Sequence, residues 1–289
     1  MTGQPSLPVP PPAALRRDPL PLRGRTALVT GASRRAGIGF AVARRLAAYG
    51  ASVHLHHHTA HDAGQPWGAD PAGPEGVAAE VRDALGDPDA TVTHGPADLA
   101  DPGAPAELLR AAADALGGRI DILVANHALS GFDGDLDTVD AAMLDAHWAT
   151  DTRSVILLVQ GWARLRAALP APERAGGRVM MMTSGQDHGG GMPGEVAYGL
   201  AKGALASATR TLATALAPLS ATVNTVNPGP VDTGYLSGEA YAAVAAMFPA
   251  GRWGLPDDPA RLIAWLATDE AAWVTGQVID SEGGFRHPG

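Results

Sequence analysis

The chain of 289 residues is 46% hydrophobic and 18% charged, with a formal net charge of −9. That length supports a large buried core, and the apolar share excludes a wholly disordered chain. The lack of cysteine excludes disulfides, thiolate metal sites and a cysteine nucleophile, and without a basic block no nucleic-acid partner is expected.

Residues 1–22, "MTGQPSLPVPPPAALRRDPLPL", are interrupted repeatedly by proline, which favours extended backbone and predicts a disordered tail. They have neither the basic start nor the continuous apolar stretch of a secretory signal. No apolar run is long enough to span a membrane. A cytoplasmic protein without a membrane partner is expected.

From Arg25 onward, short apolar runs alternate with Ala-rich helical stretches. The predicted strands are Thr26–Thr30, Ser52–His56, Thr91–Gly95, Ile120–Asn126, Gly177–Thr183, Ala221–Asn227 and Gln277–Asp280. The predicted helices are Ile38–Tyr49, Gly76–Leu85, Ala104–Leu116, Ala141–Leu169, Glu195–Leu216 and Pro259–Ala267. Continuously apolar strands separated by helices indicate an α/β fold: a doubly wound, Rossmann-like parallel sheet of about seven strands with helices on both faces. One catalytic domain over residues 23–289 is expected. Ligands bind such sheets beyond the carboxyl ends of the strands. Two stretches lack periodicity: 59–74 reads as a surface loop, and 232–256 as a lid over a substrate.

The first strand, a glycine-bearing turn and a helix run together in "ALVTGASRRAGIGFAVARRLAAYG". Gly31, Gly37 and Gly39 let a phosphate approach the main chain, and the helix from Ile38 directs free N–H groups at it. The end of the second strand reads "VHLHHHTAHD", with no carboxylate before Asp62 to hold a ribose 2′-hydroxyl. Ser33, Arg34 and Arg35 lie in the turn, and the two guanidiniums match a phosphate. NADP(H) is therefore favoured over NAD(H), with His57 beside the phosphate. The row His54, His56, His58 could also hold a metal, but a solvated strand end is the preferred reading and no metal site is expected.

Tyr198 and Lys202 are one helical turn apart in "AYGLAKGALAS". Lys202 is the single lysine among 21 Lys+Arg residues, so the position requires a compact ammonium where arginine would not serve. An ammonium about 5 Å from a phenol stabilises the phenolate by roughly 3 kcal/mol, or about two pKa units. That would suit Tyr198 to general acid–base catalysis; the rival reading is a solvent-exposed pair. Ser184 ends the fifth strand, where its hydroxyl could hold a substrate oxygen or cap a turn.

These residues together resemble the short-chain dehydrogenase/reductase family, in particular its 3-oxoacyl-carrier-protein-reductase-like members. The resemblance spans about 23–286. It rests on "TGASRRAGIG", "ADL", "DILVANHA", "YGLAK", "NPGPVDTG" and "SEGGF", in that order. It implies cofactor contacts at Asp98, Leu99 and Asn126, with the adenine at Asp98, and a nicotinamide framed by Pro228, Gly229, Val231 and Thr233. It implies catalytic Ser184, Tyr198 and Lys202, with Tyr198 and Lys202 also touching the cofactor. It further implies a small carbonyl or alcohol substrate and a homotetramer or homodimer built on the two long helices.

Three departures stand out. Five residues separate Gly31 from Gly37 where the family has three. His127-Ala128 replaces Ala-Gly after Asn126. Asp151 occupies the place of the family's fourth catalytic residue, an asparagine, and is a catalytic candidate on that ground. That last change motivates an alternative, a cofactor-binding regulator or scaffold with impaired catalysis; epimerisation or dehydration on the same fold is a third reading. Met192, Tyr235, Leu236, Tyr241, Met247, Phe248 and Trp253 are expected either to line an apolar substrate pocket or to pack a lid on the body.

Overall fold

A computed structural model describes residues 15–287. The first fourteen residues of the predicted tail lie outside them. The tail's end is not loose: Leu22 is fully buried, and its N–H donates to the carbonyl of Tyr49 at 2.9 Å.

Seven strands form one parallel sheet: β1 (Thr26–Val29), β2 (Ser52–His57), β3 (Val92–Pro96), β4 (Ile122–Ala125), β5 (Gly177–Met182), β6 (Ala221–Asn227) and β7 (Val278–Asp280). The spatial order β3-β2-β1-β4-β5-β6-β7 reverses between β1 and β4. That switch opens a crevice beyond their carboxyl ends, where sheets of this kind bind ligands.

The helices are α1 (Ile38–Ala48), α2 (Thr59–Ala63), α3 (Gly73–Arg82), α4 (Ala104–Ala115), α5 (Ala141–His147), α6 (Ser154–Ala168), α7 (Val196–Leu216), α8 (Gly238–Ala246) and α9 (Asp257–Leu266). Because strand side chains alternate, the central strands β1, β4, β5 and β6 each feed two cores. Val29, Val124 and Met180 pack against α1, α3 and α9. Leu28, Leu123 and Met181 pack against α4, α6 and α7. Both faces are covered, which explains why the strands read as unbroken apolar runs. Among the described residues, no helix is long and apolar enough to cross a membrane.

Two predicted elements change. The helix expected over 141–169 is broken: α5 ends at His147, a π-helical turn spans Trp148–Arg153, and α6 follows. The wide turn buries Asp151 and Thr152, and the hydroxyl of Thr152 donates to the carbonyl of Ala201 at 2.8 Å, tying the turn to α7. The loop expected over 59–74 contains α2 and carries Trp67 and Asp62 to the crevice.

Candidate active site

A cleft of about 1060 Å³ runs along the carboxyl ends of β1, β2, β4, β5 and β6. Its volume sits at the top of the roughly 300–1,000 Å³ usual for small-molecule sites, room for a dinucleotide and a small substrate.

The turn after β1 forms one end. Gly31 has φ +68, and a Cβ there would lie 2.7 Å from the Cα of His127, so only glycine fits between the β1 and β4 ends. Asn126 locks the same junction, its amide donating to the carbonyls of Thr30 at 3.0 Å and Gly31 at 3.1 Å. Gly37 begins α1 in extended conformation without a side-chain cap, and Gly37 and Ile38 face the cleft. The first-turn N–H groups are thus left for a ligand. Gly39 does not face the cleft; a Cβ there would lie 2.5 Å from the Gly31 carbonyl oxygen, so it serves close packing of helix on turn.

The long turn splits its two arginines. Arg34 lines the cleft, stacks over Trp67 at 5.3 Å and donates to the carbonyl of Thr233 at 2.8 Å. Arg35 turns away, its guanidinium bound to Asp70 at 2.9 Å and Glu80 at 2.7 Å, so the expectation that it meets the phosphate is corrected. His57 is likewise displaced: it packs against His94, with ring nitrogens 3.3 Å apart, while His56 and His58 reach the cleft. The period-2 alternation of β2 sends His57 to the opposite face. Ser33 also lines the cleft and accepts from the His58 N–H at 3.2 Å. Asp62, buried on α2, lines this end as well, a carboxylate that the sequence had placed outside it.

Further along lie Asp98, Leu99 and Asn126, then Pro228, Gly229, Val231 and Thr233 after β6. Val231 is fixed by a parallel bridge to Gly254.

The opposite end brings Ser184, Tyr198 and Lys202 onto one wall. Ser184 follows β5, and the adjacent Thr183 hydroxyl donates to the Lys202 carbonyl at 2.9 Å, coupling the strand end to α7. The Nζ of Lys202 lies 5.5 Å from the Tyr198 ring centroid. Lys202 is 2% exposed, which removes the reading of a solvent-exposed pair. Burial lowers the Lys202 ammonium, opposed by the charge of Asp151.

The expected acidic phenol is not what this arrangement gives. Burial pushes Tyr198 above the ordinary phenol value, the charges of Asp151 and Glu195 add to this, and a hydrogen bond from Ser184 works against it. A phenol enclosed beside carboxylates resists ionising more than one desolvated ammonium at that distance favours it.

Three contributors here were missed in the sequence. Asp133 caps α7 from a distant loop, accepting from the N–H of Ala197 at 2.9 Å and of Tyr198 at 2.8 Å. It thereby fixes where the helix, and Tyr198 with it, begins; no local pattern announces a cap supplied 64 residues away. His147 pairs through Nδ1 with Asp151 at 2.8 Å, an i,i+4 spacing that could have been noticed. His127 is buried and neutral, held by Thr30 at 2.7 Å and Ser154 at 2.7 Å. Asp151 itself is 0% exposed and does not line the cleft.

Of the expected apolar pocket residues, Met192 and Tyr235 reach the cleft. Tyr241 stacks on Trp253 at 5.0 Å, which packs the lid on itself, and Phe248 packs on Phe285 at 4.9 Å, which ties the lid to the body.

The family model described as Enoyl-(Acyl carrier protein) reductase matches residues 31–286. The chain belongs to the short-chain dehydrogenase/reductase family. It is 41% identical to an oxidoreductase of Bacillus subtilis (strain 168), YjdA, described as uncharacterized, over 90% of this chain and 96% of that one. It is 34% identical to a cyclohexanol dehydrogenase of Rhodococcus sp. (strain TK6), over 93% and 99%. A solved structure described as a blue fluorescent protein from a metagenomic library in complex with NADPH superposes with TM-score 0.76 at 30% identity, covering 92% of this chain and 99% of that one. The protein is accordingly an oxidoreductase of this family, using a nicotinamide cofactor on a small-molecule substrate.

Proposed function

We propose that this chain is an NADP(H)-dependent carbonyl reductase, or the matching alcohol dehydrogenase, with Tyr198 as its general acid and base. The observation that carries the reading is the grouping of Ser184, Tyr198 and Lys202 on one wall of a cleft whose other end is the glycine turn.

The cleft fits the dinucleotide in three respects: the uncapped start of α1, the glycine junction at Gly31, and a guanidinium at Arg34 facing in. Gly31, Ser33, Gly37 and Ile38 would hold the phosphates, Arg34 the 2′-phosphate, Asp98 and Leu99 the adenine, and Pro228, Gly229, Val231 and Thr233 the nicotinamide. Lys202 would hold the ribose beside it. When bound, the nicotinamide supplies the hydride. The Ser184 hydroxyl donates to the carbonyl oxygen and orients it. Tyr198 gives that oxygen its proton, which completes the alcohol; in oxidation it takes the proton back. A phenol kept protonated by burial is a ready donor in the reducing direction. The likeness to a cyclohexanol dehydrogenase and to an NADPH-bound structure supports both halves of the reading.

The same reading carries one catalytic domain over 23–289, a cytoplasmic location, and a homotetramer or homodimer, supported by Trp148 and Leu200 standing exposed near the helices assigned to subunit contacts.

The test is oxidation of NADPH, and of NADH in parallel, with a panel of small ketones and aldehydes. Turnover with NADPH preferred supports the reading. Tight cofactor binding without turnover on any carbonyl, unchanged in Asp151→Asn, would instead favour the scaffold.

A further inference from the structure

An aspartate stands where the family pattern has an asparagine, and the wall around it contains the partner that makes this tolerable. Both oxygens of Asp151 are engaged. Oδ1 accepts from the Leu129 N–H at 2.7 Å, and Oδ2 meets Nδ1 of His147 at 2.8 Å. The carboxylate is fully buried and lies behind the cleft wall rather than in its lining.

The partners of His147 decide its protonation state. Nδ1 faces Asp151, while Nε2 faces the carbonyl of Gly131 at 3.1 Å and the Asp133 carboxylate at 3.8 Å. All of these only accept. A neutral imidazole has one N–H, so one nitrogen would oppose a lone pair to a lone pair in a side chain 1% exposed. The imidazolium satisfies both. Its ring lies 5.9 Å from that of Tyr198, at 80° to it.

We propose that His147 is a positioning residue for the reaction: as an imidazolium it offsets the charge of Asp151, so that the aspartate behind Tyr198 opposes the phenolate far less than it would alone. This rests on Tyr198 being the acid and base. The groups facing His147 are Asp151, Asp133, the Gly131 carbonyl and Tyr198. Those acting on Tyr198 are Asp151, Glu195, Ser184 and Tyr235, with Lys202 beside its ring; His61 also feels Asp151. Burial works to lower His147, but the hydrogen bond and charge of Asp151, the charge of Asp133 and the Gly131 carbonyl raise it above the ordinary imidazole value.

The test is the pH profile of alcohol oxidation in the parent, His147→Asn, Asp151→Asn and the double variant. Oxidation needs the phenolate, so the rate rises with pH along the Tyr198 limb. His147→Asn keeps an amide donor for Asp151 and removes the charge. The limb is expected to move alkaline by about one to two units, with kcat near neutrality falling at least about tenfold. Removing both charges in the double variant should bring the limb back toward the parent, a strongly non-additive cycle that a merely structural role would not produce. An unmoved limb in His147→Asn, or a double variant no better than the single one, would overturn the proposal. Should no alcohol or carbonyl be turned over, the proposed function fails separately. The ultraviolet tyrosinate titration, taken as the difference from Tyr198→Phe, then reads the same shift or its absence.

Discussion

The two ends of the cleft use histidine in opposite ways. At the phosphate end, burial lowers His56 to about 4, as it does His54 farther back along β2, so both are neutral at physiological pH. At the chemical end, His147 is as deeply buried but sits among acceptors, and its value is raised. Burial alone does not fix the charge of an imidazole; the partners of its two nitrogens do. The phosphate end is centred on a local motif, the turn after β1 and the helix that follows it, with β2, α2 and the end of β4 closing around them. The chemical end is assembled from α5, the π-helical turn, a distant loop and α7.

The largest test of that contrast removes the phenol's proton. Tyr198→Phe is expected to lower kcat by a factor on the order of 100 or more while leaving NADPH affinity intact, measured by steady-state kinetics and cofactor titration. Lys202→Arg should also lose most activity despite keeping the charge, because a wide guanidinium does not fit a site where the lysine is 2% exposed. Full activity in that variant would remove the argument from the lone lysine.

Next comes the pH dependence of stability. His54 and His56 have folded values depressed below 6.5, so the stability they permit is present above about 6.5 and is lost as pH falls toward 4. Each contributes a loss of up to roughly 1.4 kcal/mol per pH unit across that window. His147 has the opposite sign: its contribution is full below 6.5 and fades as pH rises through its raised value. Melting temperatures between pH 4 and 8 should therefore fall on acidification, and His56→Gln should flatten that fall.

Asp133→Ala removes the distant cap of α7. A loss of about 1–2 kcal/mol is expected in denaturant unfolding, as for other lost caps, with kcat reduced because the start of the Tyr198 helix is no longer fixed.

The smallest effect divides the two arginines. Arg34→Ala should weaken NADPH several-fold and NADH much less. Arg35→Ala should leave both unchanged and cost little stability, as expected of a solvent-screened ion pair. Equal effects on NADPH would mean that the turn rearranges when cofactor binds.

The same contrast explains what could be read in advance. Strands β1 to β7, the glycine turn and the Tyr198–Lys202 pair were legible because their signals are local: alternation of apolar runs, and spacing along one helix. The roles of Arg34 and Arg35 could not be separated, since Asp70 and Glu80 approach Arg35 only after the chain between them folds. The cap at Asp133 and the break at Trp148–Arg153 depend on contacts with α7 that no window of sequence contains. The phenol's shift went the other way because burial, which distance arguments between two side chains omit, dominates it.

The central claim is hydride delivery to a carbonyl held at Tyr198. It is tested most directly with NADPH carrying deuterium at the reactive nicotinamide carbon, following the label by mass spectrometry of the alcohol formed from a turned-over ketone. One deuterium on the carbinol carbon, with product formation lost in Tyr198→Phe, is the predicted result. Alcohol free of label, or undiminished labelled product from Tyr198→Phe, would contradict it.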